Sequence, residues 1–212
     1  MAKIFLIRHG EVEWNRRATY MGSTDLPLNS QGRLQADRLA DRMETEDISA
    51  VYSSDLSRAR ETAEIIAGRI RLPIQITPEI REIDYGEWDG VPEADVPKRY
   101  GDIYSAWRAN PAAVRIPGGE TFQELADRAF PAFSKIAEGH GDENIVVVAH
   151  KSTNRVILCC LLGIHVNNYR RIGQGNAAFN VIQTTDGGGF LVNVINERCH
   201  LLSPSDAQGG TN

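Results

Sequence analysis

Two short apolar runs, Ile4-Phe5-Leu6-Ile7 and Ile145-Val146-Val147-Val148-Ala149, each lead directly into a histidine, as Arg8-His9-Gly10 in the first case and His150-Lys151 in the second. Continuous aliphatic runs of this length read as strands buried on both faces, the kind found in the middle of parallel sheets. Open α/β sheets keep their binding crevice outside the carboxyl ends of such strands. Both histidines are therefore expected at one edge of one sheet, with Arg8 beside them. Two imidazoles and a guanidinium in one place suit a phosphoryl group, whose oxygens need charged and neutral donors.

The rest of the chain alternates strand and helix signals. Residues 3–8 read as the first strand, and Asn29-Ser30 caps a helix that keeps Ala36, Leu39, Ala40 and Met43 at helical spacing. Residues 50–53 form a second strand, and a helix follows from about Leu56 to Ala67 that Gly68 is expected to end. A short strand over 73–77 precedes a loop bearing Arg81 and Glu82. From about 90 to 118 the periodicity is poor and Pro92, Pro97, Pro111 and Pro117 interrupt it, so this stretch is expected to be a small helical lid over the strand ends. Thr121 with Glu124 forms a capping box for a helix that Pro131 should kink. After the strand over 144–149 comes a helix from about Asn154 to Leu162, and strands over 177–184 and 189–196 then close as a hairpin through Asp186-Gly187-Gly188. The pattern predicts an α/β fold: a three-layer αβα sandwich with a mostly parallel central sheet, a carboxyl-terminal edge hairpin and a helical lid. No linker divides the 212 residues, so a single domain is expected over 1–202, with a polar, Gly-rich flexible tail over 203–212.

A net charge of -5 with scattered cations gives no nucleic-acid or anionic-membrane surface. No apolar stretch approaches the roughly 20 residues that span a bilayer, and the amino terminus has no signal pattern, so a cytoplasmic protein is expected. Cys159, Cys160 and Cys199 lack metal spacing and are read as small buried side chains in a reducing compartment. Neither a metal nor a cofactor is expected.

Four blocks sharpen this reading: Ile7-Arg8-His9-Gly10-Glu11 with Trp14-Asn15; Tyr52-Ser53-Ser54-Asp55-Leu56-Ser57-Arg58-Ala59 with Thr62-Ala63; Arg81-Glu82-Ile83-Asp84-Tyr85-Gly86-Glu87-Trp88; and Val148-Ala149-His150. In content and order they resemble the histidine phosphatase superfamily, the phosphoglycerate mutase-like fold. The resemblance implies that His9 attacks phosphorus, that Arg8, Arg58 and His150 bind the transferring group's oxygens, and that Glu82 protonates the leaving group and later activates water. Arg8 and Arg58 are suited to this by their permanent charge and paired donors. Asn15 is a candidate extra phosphate donor on the next loop, and Tyr85 and Trp88 are candidates for either pocket wall or core. His140, His165 and His200 match no block and are read as structural or surface residues.

Departures from the family's pattern bear on the substrate. Lys151 stands where the family commonly has glycine after the second histidine, and at the start of a helix beside the pocket it suits a substrate carboxylate. Met21-Gly22-Ser23 replaces the Ser/Thr-Gly-Trp of the mutases, which leaves Gly22 and Ser23 as further contact candidates. Ile83 stands where mutases place an arginine, and their arginine-bearing insertion before the second histidine is missing. These differences favour a phosphatase over a cofactor-dependent phosphoglycerate mutase or a non-catalytic phospho-ligand binder. The expected substrate is a small phosphorylated metabolite, phosphoserine-like or another acidic phosphomonoester, and the stretch from Gly175 to Leu201 is similar to the phosphoserine type. Short members of the family are often homodimers.

Overall fold

Strand β1 (Lys3–Arg8) lies at the centre of a six-stranded sheet of order β3-β2-β4-β1-β5-β6 in the computed structural model, which describes residues 2–202. Around it are β2 (Ile48–Ser53), β3 (Ile74–Ile76), β4 (Asn144–Ala149), β5 (Phe179–Thr184) and β6 (Phe190–Glu197). β1, β4, β2 and β3 run parallel, whereas β5 pairs antiparallel with β1 and β6 antiparallel with β5. The closing hairpin thus makes one edge, as the sequence pattern implies. The tail predicted over 203–212 lies outside the described residues.

Alternation along β1 divides the core. Ile4 and Leu6 pack with Ile145, Val147, Trp88 and Phe133 on one face, and Phe5 and Ile7 pack with Val146, Val148, Leu39 and Ile66 on the other. Helices α2 (Ser30–Glu44) and α3 (Ser57–Ile70) cover the second face, and α5 (Phe122–Glu138) and α6 (Lys151–Leu161) cover the first. Each of these strand side chains is buried, which stabilises the fold by roughly 1.5–3 kcal/mol apiece.

Several boundaries differ from the sequence reading. A one-turn helix, α1 (Glu13–Arg16), was not anticipated. α3 runs through Gly68, which faces open space, and ends at Arg71 with φ 59°, whose N–H bonds Ala67 O. α5 keeps its Thr121/Glu124 capping box and continues without a break past Pro131, which lies on the exposed side where water can satisfy the freed carbonyl. In the expected lid, α4 (Val96–Ala109) is bent at Gly101, φ 31°. It is fastened to the body by aromatic contacts, with Trp107 edge-on to Trp88 at 4.9 Å between ring centroids and Tyr104 at 5.8 Å from Trp88. Trp88 is therefore a core residue.

The turn after β1 explains its glycine. Gly10 lies against the first turn of α2, where an added Cβ would stand 2.5 Å from Gly32 O, and a Cβ on Gly32 would stand 2.1 Å from Glu11 O. Asn29 caps α2 by accepting from Gly32 N at 2.7 Å and donates to Glu11 Oε1 at 2.9 Å. The helix start and the His9 turn are thus one packed unit. Gly32→Ala is expected to cost about 1–3 kcal/mol, a fall of several degrees in Tm, with a parallel loss of activity; calorimetry showing an unchanged Tm would contradict this contact.

Candidate active site

The register of β1 with β4 pairs Arg8 with Ala149, and His9 N donates to Ala149 O at 3.1 Å. His9 and His150 therefore leave neighbouring strands at the same level, with ring centroids 5.2 Å apart. His9 is buried, and its Nδ1 lies 2.7 Å from Gly10 O. A carbonyl only accepts, so the proton sits on Nδ1 and Nε2 keeps its lone pair. Burial, then Arg58 and Arg8, hold the His9 pKa well below 6.5, which keeps the ring neutral.

Arg58, in the first turn of α3, is fully buried. Its Nη1 donates to Thr24 O at 2.9 Å, its Nη2 to Gly22 O at 2.8 Å and its Nε to His150 Nδ1 at 3.3 Å. His150 is held in the tautomer whose Nε2–H lies 2.6 Å from Ser54 Oγ. Arg8 donates through Nη1 to Gln174 O at 2.8 Å, while its buried Nε has no partner. Among the described residues neither guanidinium is ion-paired with a carboxylate, and burial lowers both pKa values to about 10. The two cations are instead solvated by carbonyls and one imidazole, and Glu82, with Asp25 and Asp89 near Arg58, offsets their field only from beyond ion-pair distance.

Glu82 approaches from the loop after β3. Its carboxylate accepts from Ser152 N at 3.0 and 3.1 Å, from Thr153 N at 3.2 Å and from Ile83 N at 3.0 Å. Ser152 and Thr153 open α6, so the positive end of that helix fixes the acid's position.

Arg8, His9, Glu82, Asn15, Tyr85 and Lys151 line one cavity of about 290 Å³, together with Asn176, Glu93 and the aromatic rings of Tyr20 and Trp14. Arg58 and His150 stand behind His9 rather than in this wall. Gly22 is buried and serves Arg58 through its carbonyl, and Ser23 is exposed on a neighbouring cleft that shares Glu82 with the cavity and also holds Arg81 and Asp84. The structure thus brings neither Gly22 nor Ser23 to the cavity. Of the expected lid, Glu93 alone reaches the lining. His140 bonds Tyr52, His165 caps a turn at Asn167 and His200 packs on Phe179, all away from the cavity. Cys159 is buried, but Cys199 is exposed, contrary to the reading of all three cysteines as buried.

Sequence reasoning missed the residues that hold this arrangement. Asn176 donates through Nδ2 to Asn15 Oδ1 at 2.8 Å, and Val12 N also bonds that oxygen at 3.1 Å. Asn15 is thereby turned with its own amide N–H₂ as the uncommitted end. Asn176 owes its place to Ala177, whose φ of 54° is left-handed and whose N–H bonds His9 O. Asp89 accepts from Gly22 N and Thr24 N at 2.9 and 2.8 Å, fixing the loop whose carbonyls hold Arg58. These are isolated polar residues in loops, and no periodicity or spacing marks them. Among the described residues no cluster of three or more His, Cys, Asp or Glu could hold a metal ion, and no helix is long and apolar enough to cross a membrane.

Comparison with known proteins places this geometry among phosphoryl-handling enzymes. The Histidine phosphatase superfamily (branch 1) matches residues 4–197. Phosphoserine phosphatase 1 of Hydrogenobacter thermophilus is 32% identical over 201 residues, 95% of this chain and 95% of that protein. Phosphoglycerate mutase-like protein 4 of Arabidopsis thaliana is 36% identical over 213 residues, 99% of this chain and 91% of that protein. A crystal structure of phosphoserine phosphatase from Entamoeba histolytica, in complex with 3-phosphoglyceric acid, superposes with a TM-score of 0.87 at 25% identity, covering 95% of this chain and 100% of that one.

The two buried imidazoles make stability depend on pH with a definite sign. His150, like His9, has its pKa held well below 6.5, by burial first and then by Arg58. As pH falls through about 6.5 the unfolded chain takes protons on these rings and the folded chain does not, so stability present above that pH is lost below it. Each ring contributes a slope of up to about 1.4 kcal/mol per pH unit. Urea midpoints are expected to fall between about pH 7 and pH 5.5; a midpoint that stays constant would show that the rings are not held neutral.

Proposed function

The chain belongs to the histidine phosphatase superfamily, and we propose that it hydrolyses a small acidic phosphomonoester through a phosphohistidine on His9, without a metal ion. The observation that carries this reading is the 2.7 Å contact of His9 Nδ1 with Gly10 O, which leaves a neutral ring with Nε2 free to attack. His9 Nε2 forms a bond to phosphorus as the ester P–O bond breaks. Charge on the three non-bridging oxygens is met by Arg8 and the amide of Asn15 in the cavity wall and by the field of Arg58 from behind His9, while His150 Nε2–H, which rests on Ser54 Oγ, donates to them only by leaving that bond. Glu82 delivers a proton to the departing alkoxide, then takes one from the water that attacks the phosphohistidine and regenerates His9. The positive field needed for this comes from the chain's own guanidiniums, buried where it is least screened.

Hydrolysis is favoured over phosphoglycerate mutation by Ile83, which is fully buried in the core at the place where mutases carry an arginine. A mutase must hold a carboxylate and a second phosphate while its bisphosphorylated intermediate reorients, and this position supplies no cation for that.

His9→Ala is expected to abolish turnover, and rapid quenching of the native enzyme with labelled substrate to trap an acid-labile phosphoenzyme. Activity should survive EDTA. Label on another residue, or metal-dependent recovery after chelation, would overturn the mechanism, and rapid conversion of 3-phosphoglycerate to 2-phosphoglycerate in the presence of 2,3-bisphosphoglycerate would make the mutase reading correct.

A further inference from the structure

At the outer wall of the cavity two opposite charges face each other without being used by the protein. Lys151 Nζ lies 4.0 Å from Glu93 Oε1, too far for a hydrogen bond. Neither head group hydrogen-bonds any other described residue, and both side chains are about half exposed, at 40% and 49%. An ion pair of this kind contributes about 0–1 kcal/mol, so a ligand separates it at little cost.

Both charges are placed by backbone. Lys151 is the first residue of α6, directly after His150. Glu93 lies on a loop stitched to the opposite rim: Glu93 N donates to Ala18 O at 2.8 Å, Tyr20 N to Val91 O at 3.0 Å, and Thr19 and Pro92 form an isolated antiparallel bridge. Ala18 holds its part of that rim in a left-handed conformation, φ 47°. The same cavity wall then runs inward to Arg8, His9 and Glu82. Burial and the nearby Arg8 lower the Lys151 pKa, so this ammonium sits in a positive field that a bound anion would relieve.

We propose that Lys151 and Glu93 form a charge-reading subsite for a zwitterionic substrate, a phosphorylated α-amino acid whose carboxylate meets Lys151 and whose ammonium meets Glu93. An α-amino acid carries both charges on one carbon, so its receptors must be adjacent and opposite in sign, as these are. A substrate with a carboxylate alone leaves Glu93 facing an anion, and one with an amine alone leaves Lys151 beside a cation. The pair therefore rejects each single-charge analogue by a different residue, and selectivity comes from the mismatch as much as from the match. This subsite rests on the hydrolytic reading given above and narrows it to one substrate class.

Phosphate release from O-phosphoserine, O-phosphoethanolamine and 3-phosphoglycerate, with p-nitrophenyl phosphate as the reference whose leaving group carries neither a carboxylate nor an ammonium, separates the two roles. Wild type is expected to show its highest kcat/KM on phosphoserine. In Lys151→Ala the ratio of kcat/KM for phosphoserine to that for phosphoethanolamine should fall about tenfold or more, because only the first substrate has the carboxylate. In Glu93→Gln the ratio for phosphoserine to 3-phosphoglycerate should fall to a similar extent, about tenfold, because only the first has the ammonium. Ratios that stay at their wild-type values in both variants, or equal losses on all four substrates, would overturn the subsite while leaving the phosphatase reading intact. Wild-type enzyme that releases phosphate from none of them would instead sink the hydrolytic reading and this one with it.

Discussion

Two guanidiniums, Arg8 and Arg58, are buried at the strand ends without an ion-paired carboxylate among the described residues. A lone charge in a dry interior is normally paired or neutralised. Arg8 and Arg58 are neither; they are held by the carbonyls of Gln174, Gly22 and Thr24 and by the imidazole of His150. Carbonyl dipoles satisfy the donors without carrying a countercharge, and Glu82 faces both cations only from beyond ion-pair distance, so their field is reduced at the strand ends but not paired off. In the proposed reaction an oxyanion entering the cavity supplies further negative charge to these two cations.

Much of the surrounding structure keeps those carbonyls in place. Asp89 clamps the Gly22–Thr24 loop, and through it Arg58 and then His150. On the other side, buried Asn180 bonds Leu6 O at 2.7 Å and Gln174 at 2.7 and 3.1 Å, tying the residue that receives Arg8 back to β1 itself. Polar networks in a low-dielectric core are stable only when nearly complete. Two atoms of this network lack a partner among the described residues: the Oδ1 of Asn154, whose Nδ2 donates to Gln174 Oε1, and the Nε of Arg8, a residue of the cavity wall.

What the sequence disclosed follows the same physics. The apolar runs of β1 and β4 revealed the sheet centre because burial on both faces tolerates no polar interruption, and the histidines after them were legible for the same reason. The Thr121/Glu124 cap was legible because capping is a local four-residue interaction. Helix ends were less so: Gly68 looked like a stop, but nothing crowds it, and the left-handed Arg71 took that role. The lid was read as a cover because its prolines break periodicity, whereas the aromatic contacts of Trp88, Tyr104 and Trp107 bind it to the body and bring only Glu93 to the cavity. Asn176, Asp89 and Gln174 were invisible because they act through hydrogen bonds to segments far apart in the chain, and a single sequence carries no mark of such pairings. Ser23 failed for the converse reason: its neighbour Gly22 does serve the site, but through a backbone carbonyl, while the serine side chain turns outward.

The first turn of α6 holds the position of Glu82 and the charge of Lys151 by different means within four residues. His150 caps the helix, and Ser152 and Thr153 hold Glu82 mainly through backbone N–H groups that any residue except proline would provide. Lys151, between them, commits no backbone hydrogen bond to Glu82 and presents its side chain to the cavity. The acid's position thus depends on helix geometry, and what lies beside the substrate depends on the identity of one side chain. If Lys151 meets the substrate as proposed, a change there alters the charge that a ligand meets and leaves the cradle of Glu82 standing, so the substrate could change without rebuilding that cradle.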